Sequence, residues 1–352
     1  MKPDKEFWRG RRVLLTGHTG FKGSWLAIYL HQLGAHVTGI ALEPETQPSL
    51  FIAAGVKQLL EHQVCDIREQ KKMAALIHAA QPEIVFHLAA QALVRRSYRE
   101  PVDTFATNVQ GTVHVLDALR GLDCVKAAVV VTTDKVYKNL EHGHAFREDD
   151  ELGGHDPYSA SKAASELIIA SYRDAYLREQ GVSVASARAG NVIGGGDWSE
   201  DRLLPDAIRA WQTDQILDIR RPESVRPWQH VLEPVSSYII LAQALATQQV
   251  EGGAWNFGPT ADANATVRHV VDQARKAYGR GDIHYASVIH GQHEAQLLSL
   301  NVDKASQLLG IASRFSLKQA VESSIRWYHA FANGANAYQL CLADINVFEN
   351  LV

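Results

Sequence analysis

Short apolar runs alternate with amphipathic stretches along the first half of the chain. The apolar runs have the length of buried strands and cover residues 12–16, 36–42, 61–64, 83–87, 127–132 and 182–188. The stretches between them have helical spacing, most clearly over residues 24–33, 71–80, 102–119 and 158–179. Strands that alternate with helices form βαβ crossovers. The pattern therefore predicts an α/β fold with a doubly wound, parallel, Rossmann-like sheet.

The alternation becomes irregular after Arg188, where arginine, tryptophan and proline occur in the predicted loops. Gly194-Gly195-Gly196 predicts a flexible break and a hinge into a second lobe. We expect a first domain over residues 1–190, to which a segment at about 228–258 returns. Residues 191–352 are expected to form mainly a smaller, interleaved α/β lobe that binds the substrate.

The composition excludes several classes of protein. The chain has 352 residues, of which 46% are hydrophobic and 21% charged, as in a globular protein. A net charge of −4 gives no indication of a nucleic-acid-binding surface. Three scattered cysteines fit a reducing compartment, and the first residues lack the apolar segment of a signal peptide. Since no apolar run reaches the ~18 residues that span a bilayer, we expect a cytoplasmic protein without membrane contact.

A glycine-rich segment follows the first predicted strand and opens the first long helix. Its sequence is Thr16-Gly17-His18-Thr19-Gly20-Phe21-Lys22-Gly23. The glycines permit a tight turn, close approach of a pyrophosphate and close packing of helix on strand, and the helix amides face the phosphate charge. This context favours dinucleotide binding over a plain βα connection. The candidate cofactor contacts are Gly17, Thr19, Gly20, Phe21, Lys22 and Gly23.

Two further segments follow predicted strands and are candidates to border the same cofactor. Asp66-Ile67 can hold an adenine, the carboxylate by accepting from its amine and Ile67 by packing on the ring. The alternative is an aspartate that caps a turn before Arg68. Leu88-Ala89-Ala90 consists mostly of small residues and suits close approach of a ligand, with ordinary packing as the alternative.

The end of the second predicted strand bears on the choice of dinucleotide. Its first acidic residue is Glu43, and no arginine occurs between Arg12 and Arg68. A 2′-phosphate would lack an arginine partner there, so the sequence favours NAD over NADP.

Tyr158 and Lys162 are the candidate redox residues. Four positions apart on a predicted helix, they share one face. We expect the Lys162 ammonium to lower the pKa of Tyr158, so that the phenolate takes a hydroxyl proton while hydride leaves to nicotinamide. Lys162 can also hold the cofactor ribose, and Thr133 can hydrogen-bond the reacting hydroxyl. The alternative for such a pair is an ordinary helix surface.

Asp134 and Lys135 stand at the end of the fifth predicted strand, before this helix. An acid and an amine next to redox residues suggest proton chemistry beyond a simple oxidation. The alternative is a solvated salt bridge in a loop.

Taken together, the motifs resemble the extended short-chain dehydrogenase/reductase superfamily from about Arg11 to Leu309. The segments that carry the resemblance are the glycine motif, Asp66-Ile67, His87-Leu88-Ala89-Ala90, Asn108 and the Tyr158/Lys162 pair. The resemblance implies a Rossmann-like fold, a nicotinamide dinucleotide and a role for Asn108 in the cofactor site. It also implies pairing of the helices at 102–119 and 158–179 in a homodimer or larger homo-oligomer.

Within the superfamily, Thr133-Asp134-Lys135-Val136-Tyr137 resembles the sugar-nucleotide 4,6-dehydratases. Three longer strings, over residues 18–26, 194–198 and 226–231, resemble those that act on CDP-glucose. The resemblance implies oxidation at C4, elimination of water across C5 and C6, and return of hydride to C6. Asp134 matches the acid for the 6-hydroxyl. Lys135 matches a position where many relatives have a glutamate base, and it acts either as a neutral base or as a charged partner of the enolate.

The same resemblance implies that a nucleotide-sugar substrate lies in the second lobe. The candidate substrate contacts are Asn191, Arg202, Arg226 and Glu294. Arginines suit a diphosphate because they offer paired donors. Among the 16 histidines none has the spacing of a metal site, so no metal is expected. Other nucleotide-sugar dehydratases, 4-epimerases of the superfamily and a non-enzymatic NAD-binding protein are the alternatives.

Overall fold

The core of the fold is a seven-stranded parallel sheet. The computed structural model describes residues 2–140, 143–259, 264–286 and 298–351. The strands of the sheet are β1 (Arg12–Thr16), β2 (His36–Ala41), β3 (Glu61–Val64), β4 (Ile84–His87), β5 (Ala127–Val131), β6 (Ser183–Ala189) and β11 (Gly253–Phe257). Their order is β11-β6-β5-β4-β1-β2-β3, and every neighbouring pair is parallel. The α/β, doubly wound prediction is confirmed.

Helices cover both faces of this sheet. They are α1 (Lys5–Trp8), α2 (Phe21–Gln32), α3 (Leu50–Ala53), α4 (Gln70–Ala80), α5 (Val94–Arg99), α6 (Pro101–Phe105), α7 (Gly111–Asp117), α8 (Pro157–Tyr172), α9 (Leu203–Gln212), α10 (Leu232–Ala246), α11 (Val267–Tyr278), α12 (Asp303–Leu309), α13 (Leu317–Ala332) and α14 (Ala337–Asn350). Side chains of β1 alternate between the faces, Val13 and Leu15 in one apolar cluster and Leu14 in the other. Burial on both faces explains why these strands are continuous apolar runs.

Short strand pairs lie outside the main sheet, towards the carboxyl end of the chain. They are β7 (Val192–Ile193) with β10 (Gln229–His230), β8 (Leu217–Ile219) with β13 (Ile283–Tyr285), and β9 (Val225–Pro227) with β12 (Asn264–Thr266). Because β11 pairs with β6, the chain returns to the main sheet after leaving it. The division of the chain near residue 190 stays a prediction.

Two long predicted helices contain a wide turn that the sequence pattern did not indicate. The stretch predicted at 102–119 is α6, a π-helical turn at Ala106–Gln110, and α7. The stretch predicted at 158–179 is α8 followed by a π-helical turn at Arg173–Leu177. A π turn inserts one residue without changing the apolar pattern greatly, so periodicity does not reveal it.

The three glycines of the expected hinge, Gly194-Gly195-Gly196, are closely packed. All three residues are buried, and the indole of Trp25 donates a 3.0 Å hydrogen bond to the Gly195 carbonyl. A Cβ on Gly195 would lie 2.0 Å from the Trp327 ring. The absence of a side chain at Gly195 is therefore required for close packing against Trp327, and the hinge stays a prediction.

Across the part of the chain that the structure describes, no helix combines the length and apolar character needed to cross a membrane.

Candidate active site

The glycine turn forms a cradle at the carboxyl end of β1, between β2 and β4. Gly17 adopts φ +77°, and a Cβ there would lie 2.6 Å from the Ala89 amide nitrogen. Helix α2 starts at Phe21, and no side chain caps its first turn. Its free amides therefore remain available for an anion. The order of the sheet reverses between β1 and β4, the position where such sheets bind dinucleotides. The residues present fit a dinucleotide.

The polar residues of the glycine motif differ in what they contact. The Thr19 hydroxyl donates to the Leu42 carbonyl at 2.9 Å, which ties the turn to the end of β2. Lys22 extends towards the reacting residues. Burial and then the charge of Arg202 lower the pKa of Lys22 to about 8, while Asp134 opposes that shift. Lys22 therefore connects the cofactor motif with the catalytic candidates.

The carboxylate of Asp66 is engaged by its own neighbour. Arg68 Nε lies 3.0 Å from one oxygen and 2.9 Å from the other. These contacts lower the pKa of Asp66. Ile67 is buried, and a Cβ on Gly111 would meet it at 2.4 Å. The arrangement matches the alternative of a turn before Arg68, and adenine binding by Asp66 and Ile67 stays a prediction.

Asn108 organises the loop that follows β4. Its Oδ1 accepts from the Gln91 amide at 2.8 Å, and its Nδ2 donates to the Gln91 carbonyl at 3.0 Å and to Ser161 at 2.9 Å. Asn108 lies in the π turn between α6 and α7. Leu88, Ala89 and Ala90 begin the same loop, and Thr16 Oγ1 accepts from the amides of Leu88 and Ala89. The π turn thus places Asn108 between this loop and α8.

Tyr158 and Lys162 lie together inside the protein, at the start of α8. Burial raises the pKa of Tyr158, and a hydrogen bond with Thr133 and the charge of Arg202 offset this only in part. The net shift is therefore upward, opposite to the expected lowering, since burial is its largest cause. Lys162 Nζ donates to the Val131 carbonyl at 3.0 Å. Burial also lowers the pKa of Lys162 to about 8.

Asp134 and Lys135 form a one-turn 3₁₀ helix immediately after β5. Asp134 is fully buried, and its Oδ1 accepts from Lys135 Nζ at 2.9 Å and from Thr133 Oγ1 at 3.0 Å. Its Oδ2 is buried and has no hydrogen-bond partner among the described residues. The alternative of a solvated surface pair is excluded by this burial. The Lys135 side chain, 29% exposed, lines the adjacent cavity.

A second buried pair, which the sequence analysis missed, lies one turn further along α8. Glu166 accepts from Arg188 Nε at 3.0 Å and Nη2 at 2.8 Å, and from the hydroxyls of Thr132 and Ser186. Arg188 Nη1 donates to the Tyr137 hydroxyl at 2.8 Å. The four-residue spacing between Lys162 and Glu166 was the one available signal in the sequence.

The predicted substrate contacts surround a cavity of about 650 Å³ that Lys135 also lines. Asn191, Arg202 and Arg226 all border it. Asn191 Oδ1 is buried without a hydrogen-bond partner among the described residues, and Arg202 donates to the Ala92 carbonyl at 3.0 Å. Glu294 lies outside the described residues. A cavity of this size, lined by both polar and apolar side chains, suits a nucleotide sugar.

Among the described residues, no group of three or more histidine, cysteine, aspartate or glutamate side chains is placed to hold a metal ion.

Comparison with family models gives a match over residues 13–258, well over half of the chain, to the NAD dependent epimerase/dehydratase family. The chain belongs to this family. Its sequence is 44% identical over 337 residues to the CDP-glucose 4,6-dehydratase of Salmonella typhimurium, covering 94% of each chain.

Solved structures of this family share the fold. The dTDP-glucose 4,6-dehydratase of Bacillus anthracis in complex with NAD has a TM-score of 0.77 and 22% identity, over 94% of this chain and 100% of that one. A UDP-glucose-4-epimerase of Stenotrophomonas maltophila with bound NAD has a TM-score of 0.79 and 21% identity, over 92% and 100%. At this identity the likeness concerns the fold, which dehydratases and epimerases share.

Proposed function

We propose that the protein uses NAD to convert CDP-glucose to CDP-4-dehydro-6-deoxyglucose and water. The observation that carries this proposal is the fully buried Asp134, which accepts from Thr133 through one oxygen and keeps the other without a partner among the described residues. A 4-epimerase needs no acid for a leaving hydroxyl. The 44% identity to a CDP-glucose 4,6-dehydratase supports the choice of nucleotide.

The first stage oxidises C4 of the glucose. Tyr158 takes the proton of the 4-hydroxyl, and Thr133 holds the same hydroxyl. When bound, NAD accepts the hydride from C4 and later returns it to C6. The buried Lys162 contributes a positive charge that favours the phenolate of Tyr158 once the site is closed to water. The resulting ketone acidifies the proton on C5.

The elimination stage needs an acid and a base at the same time. Transfer of one proton from Lys135 Nζ to Asp134 Oδ1, across their 2.9 Å contact, converts the ion pair into a carboxylic acid and an amine. Burial reduces the difference in free energy between the ion-paired form and the neutral form, because charges are poorly solvated inside the protein. The Lys135 amine then takes the proton from C5, and Asp134 protonates the departing 6-hydroxyl. Both groups return to the ion-paired form.

Hydride then returns to C6, and the Lys135 ammonium gives its proton back to C5. Asp134 must regain the proton that left with water, while Tyr158 holds the one taken from the 4-hydroxyl. Thr133 contacts both side chains and can pass that proton between them.

The activity is tested by incubating the protein with CDP-, UDP-, GDP- and dTDP-glucose, with NAD and no added oxidant. We expect CDP-glucose to give a 4-keto-6-deoxy sugar, seen as a chromophore in alkali. An epimerised sugar without this chromophore, or equal reaction with all four nucleotides, would contradict the proposal.

We also propose a homodimer formed through the outer surfaces of α6 and α8. Val102 is 82% exposed and Leu167 64% exposed, and the two helices are neighbours. Apolar side chains at this level of exposure favour contact with a second copy. Sedimentation should show a dimer that Leu167→Asp dissociates, and a wild-type monomer would contradict the proposal.

A further inference from the structure

Ion pairs cross the open end of the sheet above the glycine turn. Arg96 of α5 contacts Glu45 at 2.7 Å and Glu200 at 3.3 Å. We call these three side chains the Arg96 bridge. Its members come from three separate segments, since Glu45 follows β2, Arg96 follows β4 and Glu200 follows β7.

The order of the strands shows what the Arg96 bridge passes over. β2 and β4 lie on opposite sides of β1 in the sheet. At roughly 4.8 Å between neighbouring strands, the ends of β2 and β4 are about 10 Å apart. The contact between Glu45 and Arg96 therefore spans the end of β1 and the glycine turn, which is the crevice for a dinucleotide.

Further contacts hold the segment after β7 against the loop and helix that follow β4. Arg95 pairs with Asp201 at 3.0 Å, and Arg99 pairs with Glu200 at 3.0 Å. Arg202 donates to the Ala92 carbonyl at 3.0 Å. The Arg96 bridge is therefore part of a network and not an isolated surface pair.

The degree of burial indicates which side chain is central. The Arg96 side chain is 24% exposed, whereas Glu45 is 61% and Glu200 48% exposed. Isolated exposed ion pairs contribute little, but networks that share one well-packed arginine contribute more. Arg96 is the shared member here, because it contacts both carboxylates.

We infer that Arg96 is a positioning residue that holds the cofactor crevice closed between the two hydride transfers. The inference rests on the proposed function, in which NADH formed at C4 oxidation stays bound until hydride returns to C6. Loss of NADH in that interval would leave an oxidised sugar and an enzyme without reductant. A closure formed by ion pairs also predicts that retention of the cofactor weakens as salt screens the charges.

The test measures the dissociation rate of NADH, without any sugar. The protein is loaded with NADH and mixed with excess NAD, and the decay of bound NADH fluorescence is followed. At low salt we expect Arg96→Met to release NADH about five-fold faster, the effect of a network of exposed pairs. The difference should disappear at high salt, and Arg96→Lys should give an intermediate rate.

Controls separate this role from general destabilisation. Arg178→Met removes an exposed pair with Asp174 elsewhere on the surface and should leave the rate unchanged. Glu200→Gln opens the Arg96 bridge from its other side and should accelerate release as Arg96→Met does. Equal rates for wild type, Arg96→Met and Glu200→Gln at low salt would overturn the inference, as would an acceleration that salt does not reduce.

The inference and the proposed function fail separately. If the wild-type protein makes no keto sugar, the proposed function fails while the NADH rates still test Arg96. If keto sugar forms but the variants retain NADH like wild type, only the role of Arg96 is refuted. With CDP-glucose, Arg96→Met should lose activity between cycles and recover when NAD is added.

Discussion

Two acid–cation pairs with buried carboxylates, Glu166–Arg188 and Asp134–Lys135, differ in how completely they are hydrogen-bonded. In the first, both oxygens of Glu166 accept from Arg188, and each also accepts from a hydroxyl. In the second, Asp134 pairs with Lys135 through one oxygen, and the other oxygen has no partner among the described residues. The first pair is satisfied, whereas the second retains an acceptor without a partner among the described residues, next to a lysine that lines the cavity.

This difference distinguishes a pair that stabilises the fold from one that is available for chemistry. A fully bonded buried pair fixes the positions of its neighbours, since breaking it leaves a charge without a partner. Burial alone would lower the pKa of Arg188, but its hydrogen bonds to the negatively charged Glu166 carboxylate raise that pKa above its usual value. Lys162, one turn away on α8, has the Val131 carbonyl as its one hydrogen-bond acceptor among the residues that the structure describes. Arg188 therefore has a structural role, in contrast to Lys135 and Lys162, the cations of the active site.

The largest effect on stability is expected from breaking the satisfied pair. Arg188→Leu leaves the Glu166 carboxylate buried without a cation. We expect the free energy of unfolding to fall by about 3–5 kcal/mol, measured by urea denaturation. Arg178→Leu is the matched control, because its pair with Asp174 is exposed, and it should cost less than about 0.5 kcal/mol. A loss below about 1 kcal/mol for Arg188→Leu would show that the two buried pairs do not differ as proposed.

Asp134→Asn should produce the opposite result. The substitution removes a buried charge that is incompletely hydrogen-bonded, so we expect unfolding to change by less than about 1 kcal/mol. Formation of keto sugar should fall by about 10²–10⁴-fold, the contribution of a general acid. C4 oxidation does not need this acid, so NADH should accumulate when CDP-glucose is added and should be visible by its absorbance. An inactive variant that forms no NADH would place Asp134 in the first stage instead.

The local features of this site could be predicted from the sequence. Strands and the glycine turn are encoded by neighbouring residues, and so is the spacing of Tyr158 and Lys162. The sheet order follows from these elements together with the handedness of βαβ crossovers. Most predicted strand bounds match the structure, and the others differ from it by one residue.

Features that depend on tertiary contacts could not be predicted. The pKa of Tyr158 is raised because the side chain is buried. The Lys162 ammonium donates to the carbonyl of Val131 in β5. The run of glycines predicts flexibility at Gly195. The Trp327 ring that packs on it belongs to α13, far away in the sequence. Glu166 lies on α8, whereas its partner Arg188 lies on β6. No local pattern gives these pairings.

The active-site cation Lys162 should differ from Arg188 in its effect on stability. Its pKa is about 8 in the fold against 10.5 for the free side chain, so the folded state binds the proton less tightly. This penalty is full below pH 8 and disappears towards pH 10.5, and wild-type stability rises across that window. Lys162→Met should therefore raise the free energy of unfolding at pH 7 by roughly 1–3 kcal/mol and abolish C4 oxidation. Urea denaturation at several pH values should show the two proteins converging above pH 10, and a destabilised variant at pH 7 would contradict the assignment.

The smallest effect is expected at Gly190, which tests how closely the Asp134 carboxylate must be positioned. A Cβ at this position would lie 2.9 Å from Asp134 Oδ2 and 2.9 Å from Pro227 Cγ. The carboxylate must move by a few tenths of an ångström, so Gly190→Ala should slow keto-sugar formation about ten-fold, or ~1.4 kcal/mol in the barrier. Gly258→Ala is the matched control, since its nearest contact would be an ordinary 3.8 Å to Val302. If Gly190→Ala keeps full activity, the position of the Asp134 carboxylate does not limit the elimination, and the two pairs differ only in stability.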